Sequence, residues 1–222
     1  MTGPDPHASS EQPEPTRSFA GFRLLPFAAP RPRRGLRLLI GLWIFGAGLA
    51  MTVVADLGAD PWTVFHQGVG EQIGASIGVV TIATGLAVLV VLWFMREPIG
   101  VGTIANAIVV GLAIDATIWM LPDVDDLAVR IGLLAAAPVV VGYSSAIYLG
   151  ANCGPGPRDG MMTGLARRGV PTWAARTGIE LSALAIGFLL GGTAGLGTIW
   201  TALAIGPCVQ FFLRRVPPLP AG

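Results

Sequence analysis

The chain has 222 residues, 53% hydrophobic and only 12% charged, with a formal net charge of +1 and a mean hydropathy of +0.68. Soluble domains carry about 25% charged residues, so an ordinary water-soluble domain is excluded, and near-neutrality without a basic face excludes a nucleic-acid binder. Two cysteines without a CxxC and two histidines, His7 and His66, leave no expectation of a metal centre.

The first thirty residues are rich in Pro, Ser and acids and read as disordered. They lack a short apolar core followed by a cleavage site, so a secretory signal is not expected. Arg31, Arg33, Arg34 and Arg37 form a basic block that closes a cytoplasmic tail over 1–36. Uncharged runs then recur at the roughly 20 residues that a spanning helix needs. They place spans at about 37–57, 73–95, 99–121, 128–150, 173–192 and 197–214. The stops between them are Asp56-Leu57-Gly58, Arg96-Glu97-Pro98, Pro122 with Asp123, Asp125 and Asp126, and a glycine-built turn, GGTAGLG. The expected fold is all-α, with six transmembrane helices in one membrane domain and the lipid bilayer as its solvent.

Arginine placement sets the expected orientation, because short cytoplasmic loops carry excess positive charge. With the N-terminus inside, the basic block, Arg96, Arg158, Arg167, Arg168, Arg176, Arg214 and Arg215 all fall on cytoplasmic ends. The outer loops hold Asp56, Asp60, Glu71 and the acidic run, with Arg130 as their one base. Both termini are therefore expected in the cytoplasm of a bacterial plasma-membrane protein.

Two Gly/Pro breaks punctuate this pattern, at 58–68 and 154–164. Shifted by 96, GADPWTVFHQG from Gly58 lies over GPGPRDGMMTG from Gly154; shifted by 95, GVGTI from Gly100 lies over GLGTI from Gly195. The segments 37–122 and 128–216 thus read as one three-span unit used twice. An odd span count makes the second copy enter from the opposite face, which is the inverted-repeat plan of many secondary transporters.

These same stretches, LGADPWTVFHQG, GVGTIANAIVVGLAID, GPGPRDGMMTGL and GLGTIWTALAIGP, resemble the YczE/YyaS/YitT family of bacterial membrane proteins. The match covers nearly all of 37–215, and the resemblance implies a multi-pass plasma-membrane protein without naming a substrate. The family-like form of the first loop reads LGxGPWD, whereas this chain has Asp60 before Pro61 and Thr63 in place of the acid.

Pro61 and Pro157 suit the first position of a helix, where a missing N–H is harmless. Asp60 suits the N-cap and Gly156 suits it less well. If both breaks dip toward the midplane, two helix N-termini face one another and favour an anion, with Arg158 adding charge and Asp159 orienting it. The candidate substrate-binding residues are Asp60, Trp62, His66, Arg158 and Asp159. The alternative leaves both breaks at the interface, with Arg158 obeying the positive-inside rule. Glu180 and Asp115 are ionisable groups inside spans, which marks them as candidate proton-coupling groups. For Glu180 an ion pair with Arg176 one turn earlier is the competing structural role. Asn106, Thr201 and Gln210 are interior polar residues, read chiefly as helix–helix glue.

The expected function is transport of a small anionic or zwitterionic solute with no cofactor. The alternative is a non-transporting accessory that assists another membrane or secretory component, alone or as a homo-oligomer. An enzyme is not expected, since no nucleophile–base set, Walker A or GxSxG sequence is visible.

Overall fold

A computed structural model describes residues 31–121 and 124–219; the tail before Arg31, together with Pro122 and Asp123, lies outside the described residues. The chain runs through α1 (Pro32–Ala55), α2 (Pro61–Ile73), α3 (Ile77–Phe94), α4 (Val101–Met120), α5 (Leu127–Leu149), α6 (Pro157–Arg167), α7 (Thr172–Leu189) and α8 (Leu196–Leu213). Five of these, α1, α3, α4, α5 and α8, are long and apolar enough to cross a membrane. This is an all-α membrane protein, and the bilayer is its environment.

The remaining three helices differ for separate reasons. Helix α7 matches α3 and α8 in length, at 18 residues. It falls outside the apolar set because Thr172, Arg176, Thr177, Glu180 and Ser182 lower its hydropathy. Helices α2 and α6 have 13 and 11 residues. At 1.5 Å per residue they reach about 20 and about 17 Å, roughly half of a ~30 Å hydrocarbon core.

Helix α1 begins at Pro32 rather than near residue 37. Proline at the first helical position carries a preset φ and lacks an N–H that would go unpaired anyway. The basic block is therefore mostly helical, and Arg34 is buried. Arg37 reaches across to the end of α5, where its Nε donates to the Ile147 carbonyl at 3.1 Å. Arg130, at the start of α5, does the reciprocal job at the end of α1, donating to the carbonyls of Ala55 and Asp56. Two helices whose starts each serve the other's end run antiparallel. Their contact is close because glycine lines it: a Cβ on Gly41 would lie 2.7 Å from the Tyr148 nitrogen.

Around this central pair, α4 packs on α1 and α8 on α5, while α2 packs on α7 and α6 on α3. The core cluster joins Leu38, Leu42 and Ala50 of α1 to Val110 and Ile114 of α4, with Tyr148, Ala151 and Cys153 beyond. Both cysteines are free, and Cys153 behaves as a small buried apolar group.

Two loops are clasped in the same manner. Gly102 donates its N–H to the Cys153 carbonyl at 2.7 Å, and Gly197 donates to the Leu57 carbonyl at 2.8 Å. The residues that follow those carbonyls, Gly154 and Gly58, have φ of +116° and +105°, a region glycine enters without steric cost. The Thr103 and Thr198 hydroxyls accept from the N–H groups of Gly100 and Gly195, at 3.2 and 3.1 Å. Each clasp crosses from one half of the chain to the other.

A cavity between two helix starts

The clasped loops deliver the first turns of α2 and α6 into the middle of the bundle. Helix α2 starts with Pro61 at its first position and Asp60 as N-cap. One Asp60 oxygen accepts from the Thr63 N–H at 3.4 Å, and the other accepts from the Thr63 hydroxyl at 2.5 Å. Asp60 is 4% exposed, so burial is met with full use of its oxygens. Helix α6 starts with Pro157 at its first position and Gly156 as N-cap, and no side chain bonds to its first turn. The positive end of α6 is left open, with Arg158 and Asp159 directly behind it.

Both starts line one cavity of about 110 Å³. Its wall includes Asp60, Trp62, Thr63 and His66 from α2, and Gly156, Pro157, Arg158 and Asp159 from the α6 start. Thr81 and Thr84 of α3, Asn106 of α4 and Tyr148 of α5 complete its polar lining. All five substrate-binding candidates drawn from the two breaks thus face one space, together with Asn106. A larger, mostly apolar cleft of about 520 Å³ opens beside it among α2, α6 and α7, with Trp62 and Thr84 in the shared wall.

Two polar atoms in this region are buried without a partner among the described residues, the Trp62 indole Nε1 and the His66 Nε2. Nature seldom leaves such groups unpaired, since each forfeits about 1–3 kcal/mol. Arg158 is the third unmatched group. The ion pairs among the described residues join Arg130 to Asp56, Arg167 and Arg168 to Glu97, and Arg176 to Glu180; Arg158 takes part in none of them. The charges it feels most are, in order, Asp159, Asp60 and Glu180. An open helix N-terminus, an unpaired guanidinium and a buried indole N–H are donors only, and the residues that carry them line one cavity, a lining suited to an acceptor-rich anion.

Comparison with known proteins places the chain in a family. The model of the family of unknown function DUF6198 matches residues 32–214, a stretch that contains all eight helices and the whole cavity wall. The chain belongs to this family. An uncharacterized protein of Haemophilus influenzae is 37% identical over 184 residues, covering 82% of this chain and 84% of that protein. The uncharacterized membrane protein YczE of Bacillus subtilis is 31% identical, over 79% of this chain and 83% of its own length. YyaS of the same organism is 24% identical, over 80% of this chain and 90% of YyaS. No solved structure matches. The resemblance read from the motifs is thus shown; the membrane named for YczE agrees with the apolar helices, and none of these names gives a substrate.

The remaining candidates of this DUF6198 member lie away from the cavity. Asp115 sits toward the C-terminal end of α4 and accepts from the Ser76 hydroxyl at 2.5 Å and from the Gly78 N–H at 2.7 Å. It closes the first turn of α3, a capping role. Glu180 pairs with Arg176 at 3.4 Å and touches the cavity only through its field. The Thr201 hydroxyl is buried and bonds back to the carbonyls of Gly197 and Thr198 on its own helix. Gln210 is exposed.

Three residues in or near the site were not singled out by sequence reading. Thr81 contacts His66 Nδ1 at 3.0 Å, and Tyr148 joins the cavity wall from α5. Glu97 is buried and holds both Arg167 and Arg168, which ties the end of α6 to the α3–α4 turn. Arg168 also donates to the Gly164 carbonyl at 2.9 Å and to the Met95 carbonyl.

Proposed function

We propose that the chain is a carrier for a small anionic or zwitterionic solute, bound between the α2 and α6 starts. The observation that carries this reading is Arg158, unpaired and facing the cavity at the open N-terminus of α6. A cavity of about 110 Å³ is well under the ~300–1,000 Å³ of drug-sized sites, so the solute has few heavy atoms. A carrier is favoured over an enzyme because the one hydroxyl resting against a histidine among the described residues, Thr81, gives its proton to the Ile77 carbonyl and is not activated as a nucleophile.

In this reading α1, α3, α4, α5, α7 and α8 span the bilayer, and α2 and α6 are half-spans entering from opposite faces. The two halves, about 37–122 and 128–216, form an inverted repeat about the α1–α5 contact. Support comes from the antiparallel α1 and α5 and from the clasps at Gly102–Cys153 and Gly197–Leu57, whose equivalent members are offset by 95 residues (Gly102 and Gly197) and 96 residues (Leu57 and Cys153). The termini are cytoplasmic. Arg96, Arg167, Arg168, Arg214 and Arg215 all lie at helix ends of one side, and Asp56, Asp115 and Asp126 at ends of the other.

The test is ligand-dependent stabilisation of purified protein by formate, acetate, lactate and glycine, since a ligand bound only by the folded state raises apparent stability. At least one should stabilise the parent. Arg158→Lys keeps the charge but loses the planar fork that grips a carboxylate, and affinity should fall about tenfold with expression unchanged. Equal affinity in the lysine variant sinks the assignment of Arg158. Absence of any ligand together with a co-purifying membrane partner would favour an accessory role.

A further inference from the structure

Resting on the anion reading above, we infer that His66 is the proton-binding group of the same site, so that the solute enters together with one proton taken up at His66 Nε2. The argument begins with Thr81. A threonine hydroxyl has a single proton, and that of Thr81 goes to the Ile77 carbonyl at 2.8 Å. Its contact with His66 Nδ1, at 3.0 Å, is therefore one in which Thr81 accepts and Nδ1–H donates. A neutral His66 then carries its proton on Nδ1 and presents Nε2 as a bare lone pair. That lone pair is buried, unpartnered and on a ring that lines the cavity, with His66 only 7% exposed.

An anion brought into the cavity by Arg158 and the Trp62 N–H meets this lone pair. The rings of Trp62 and His66 lie 6.0 Å apart by centroid, so a solute seated on the indole N–H is beside the imidazole. Two acceptors cannot bond to each other, and a carboxylate oxygen facing a bare Nε2 is repelled. One proton removes the conflict: it adds to Nε2 from water, the imidazole becomes a donor on both nitrogens, and the negative charge of the solute is balanced. Binding of the anion and uptake of the proton are then linked in both directions.

The other ionisable groups facing His66 set its background. On its own helix, Asp60 is committed to Thr63. Arg158 and Asp159 approach from α6 and Tyr148 from α5, while Glu180 of α7 is felt at Asp60 and Arg158. Helices α1, α3, α4 and α8 contribute Phe45, Thr81, Asn106 and Ile205 to the wall, none of which titrates there. Arg158 already places one positive charge on the wall of the empty cavity, and the incoming anion is what makes a proton on His66 welcome. Neither Asp115 nor Glu180 stands on the cavity wall, and among the titratable residues that do, His66 is the one with a buried, unpartnered atom.

With His7 replaced by Ala and any affinity tag removed, His66 is the only imidazole in the chain. Nitrogen-15 NMR of that protein, titrated from pH 5 to 8 with and without formate, acetate or lactate, reads both claims at once. The Trp62 indole N–H signal reports anion binding, and the His66 ring nitrogens report tautomer and charge. The free protein should show a neutral His66 protonated on Nδ1. An anion that moves the Trp62 signal should also shift the His66 midpoint upward, with anion affinity falling about tenfold per pH unit above it. In His66→Gln that pH dependence should vanish while the Trp62 response persists. An anion that moves Trp62 but leaves His66 uncharged, or a free His66 protonated on Nε2, overturns the coupling and spares the anion reading. A Trp62 signal indifferent to all three carboxylates overturns the anion reading and the coupling with it.

Discussion

Helices α2 and α6 both start on a proline, Pro61 and Pro157, after a glycine held in the left-handed region, yet only α2 has a side chain closing its first turn. Asp60 supplies that closure and is buried by it. At the corresponding place α6 has Gly156, against which Asn106 packs closely: an added Cβ would lie 3.3 Å from its amide nitrogen, so the amide must shift by a few tenths of an ångström to admit one. The difference teaches where a solute can dock. At α2 the chain itself satisfies the first-turn N–H groups; at α6 the first-turn carboxylate, Asp159, makes no capping bond, so those N–H groups stay free for a solute.

The most severe way to break the comparison is to make α6 resemble α2. Gly156→Asp installs a carboxylate at the open start, and Gly156 already has extended backbone angles that aspartate adopts. Carboxylate affinity should drop at least a hundredfold, about 3 kcal/mol, the value of a charged hydrogen bond withdrawn from the solute. Isothermal titration with acetate checks it, and affinity within threefold of the parent would show that the α6 start is not the anion seat.

A second contrast lies at the far ends of the same helices. The end of α6 is held by Glu97 through Arg167 and Arg168, whereas the end of α2 is held by a neutral bond from Gln72 Nε2 to the Leu190 carbonyl at 2.9 Å. Glu97→Ala strands two partly exposed arginines and should lower stability by about 2 kcal/mol, less than the 3–5 of a fully buried pair. Gln72→Ala should cost under about 1 kcal/mol. Denaturation in detergent with rising salt separates them, since only the ionic clasp is screened. Equal losses would mean the charge at Glu97 adds nothing to the neutral arrangement.

The smallest effect is expected at the closed start. Asp60→Ala removes the α2 cap and should lower stability by about 1 kcal/mol, with acetate affinity held or raised a few-fold because a second helix start is now open. A large affinity loss would mean that Asp60 itself touches the solute.

Much of this was legible from local sequence. A Gly/Pro break inside an apolar chain, present twice at an offset of 96 residues, marks a helix start each time and points to Asp60, Trp62, His66, Arg158 and Asp159. What local sequence cannot carry is a partnership between residues far apart. Thr81 sits in an apolar run, IGVVTIATGL, where a threonine is usually satisfied by its own helix; that its oxygen also meets His66 depends on how α2 folds back on α3. Glu97 and Arg168 look like separate span-end charges until α6 is laid against α3. An acid inside a span is costly, which marks Asp115 as a coupling candidate; Ser76 and Gly78 relieve that cost from another helix. Four arginines make the segment before residue 37 look like a solvated tail, although α1 starts at Pro32.

The crossed clasps bear on how such a molecule could have arisen. The Leu57 carbonyl is answered by Gly197, and the Cys153 carbonyl by Gly102, so each half of the chain supplies the backbone group that finishes the other. A half inserted alone would leave those backbone groups unanswered, at several kcal/mol per group wherever they meet hydrocarbon. Under the inverted-repeat arrangement proposed above, the remedy is a second copy lying upside down beside it. An ancestor of half the present length, inserted in both orientations and paired with itself, already has every bond the clasps require. Fusion of two such genes then adds only a connecting loop, after which each copy is free to drift, and one break could acquire its aspartate while the other kept its glycine.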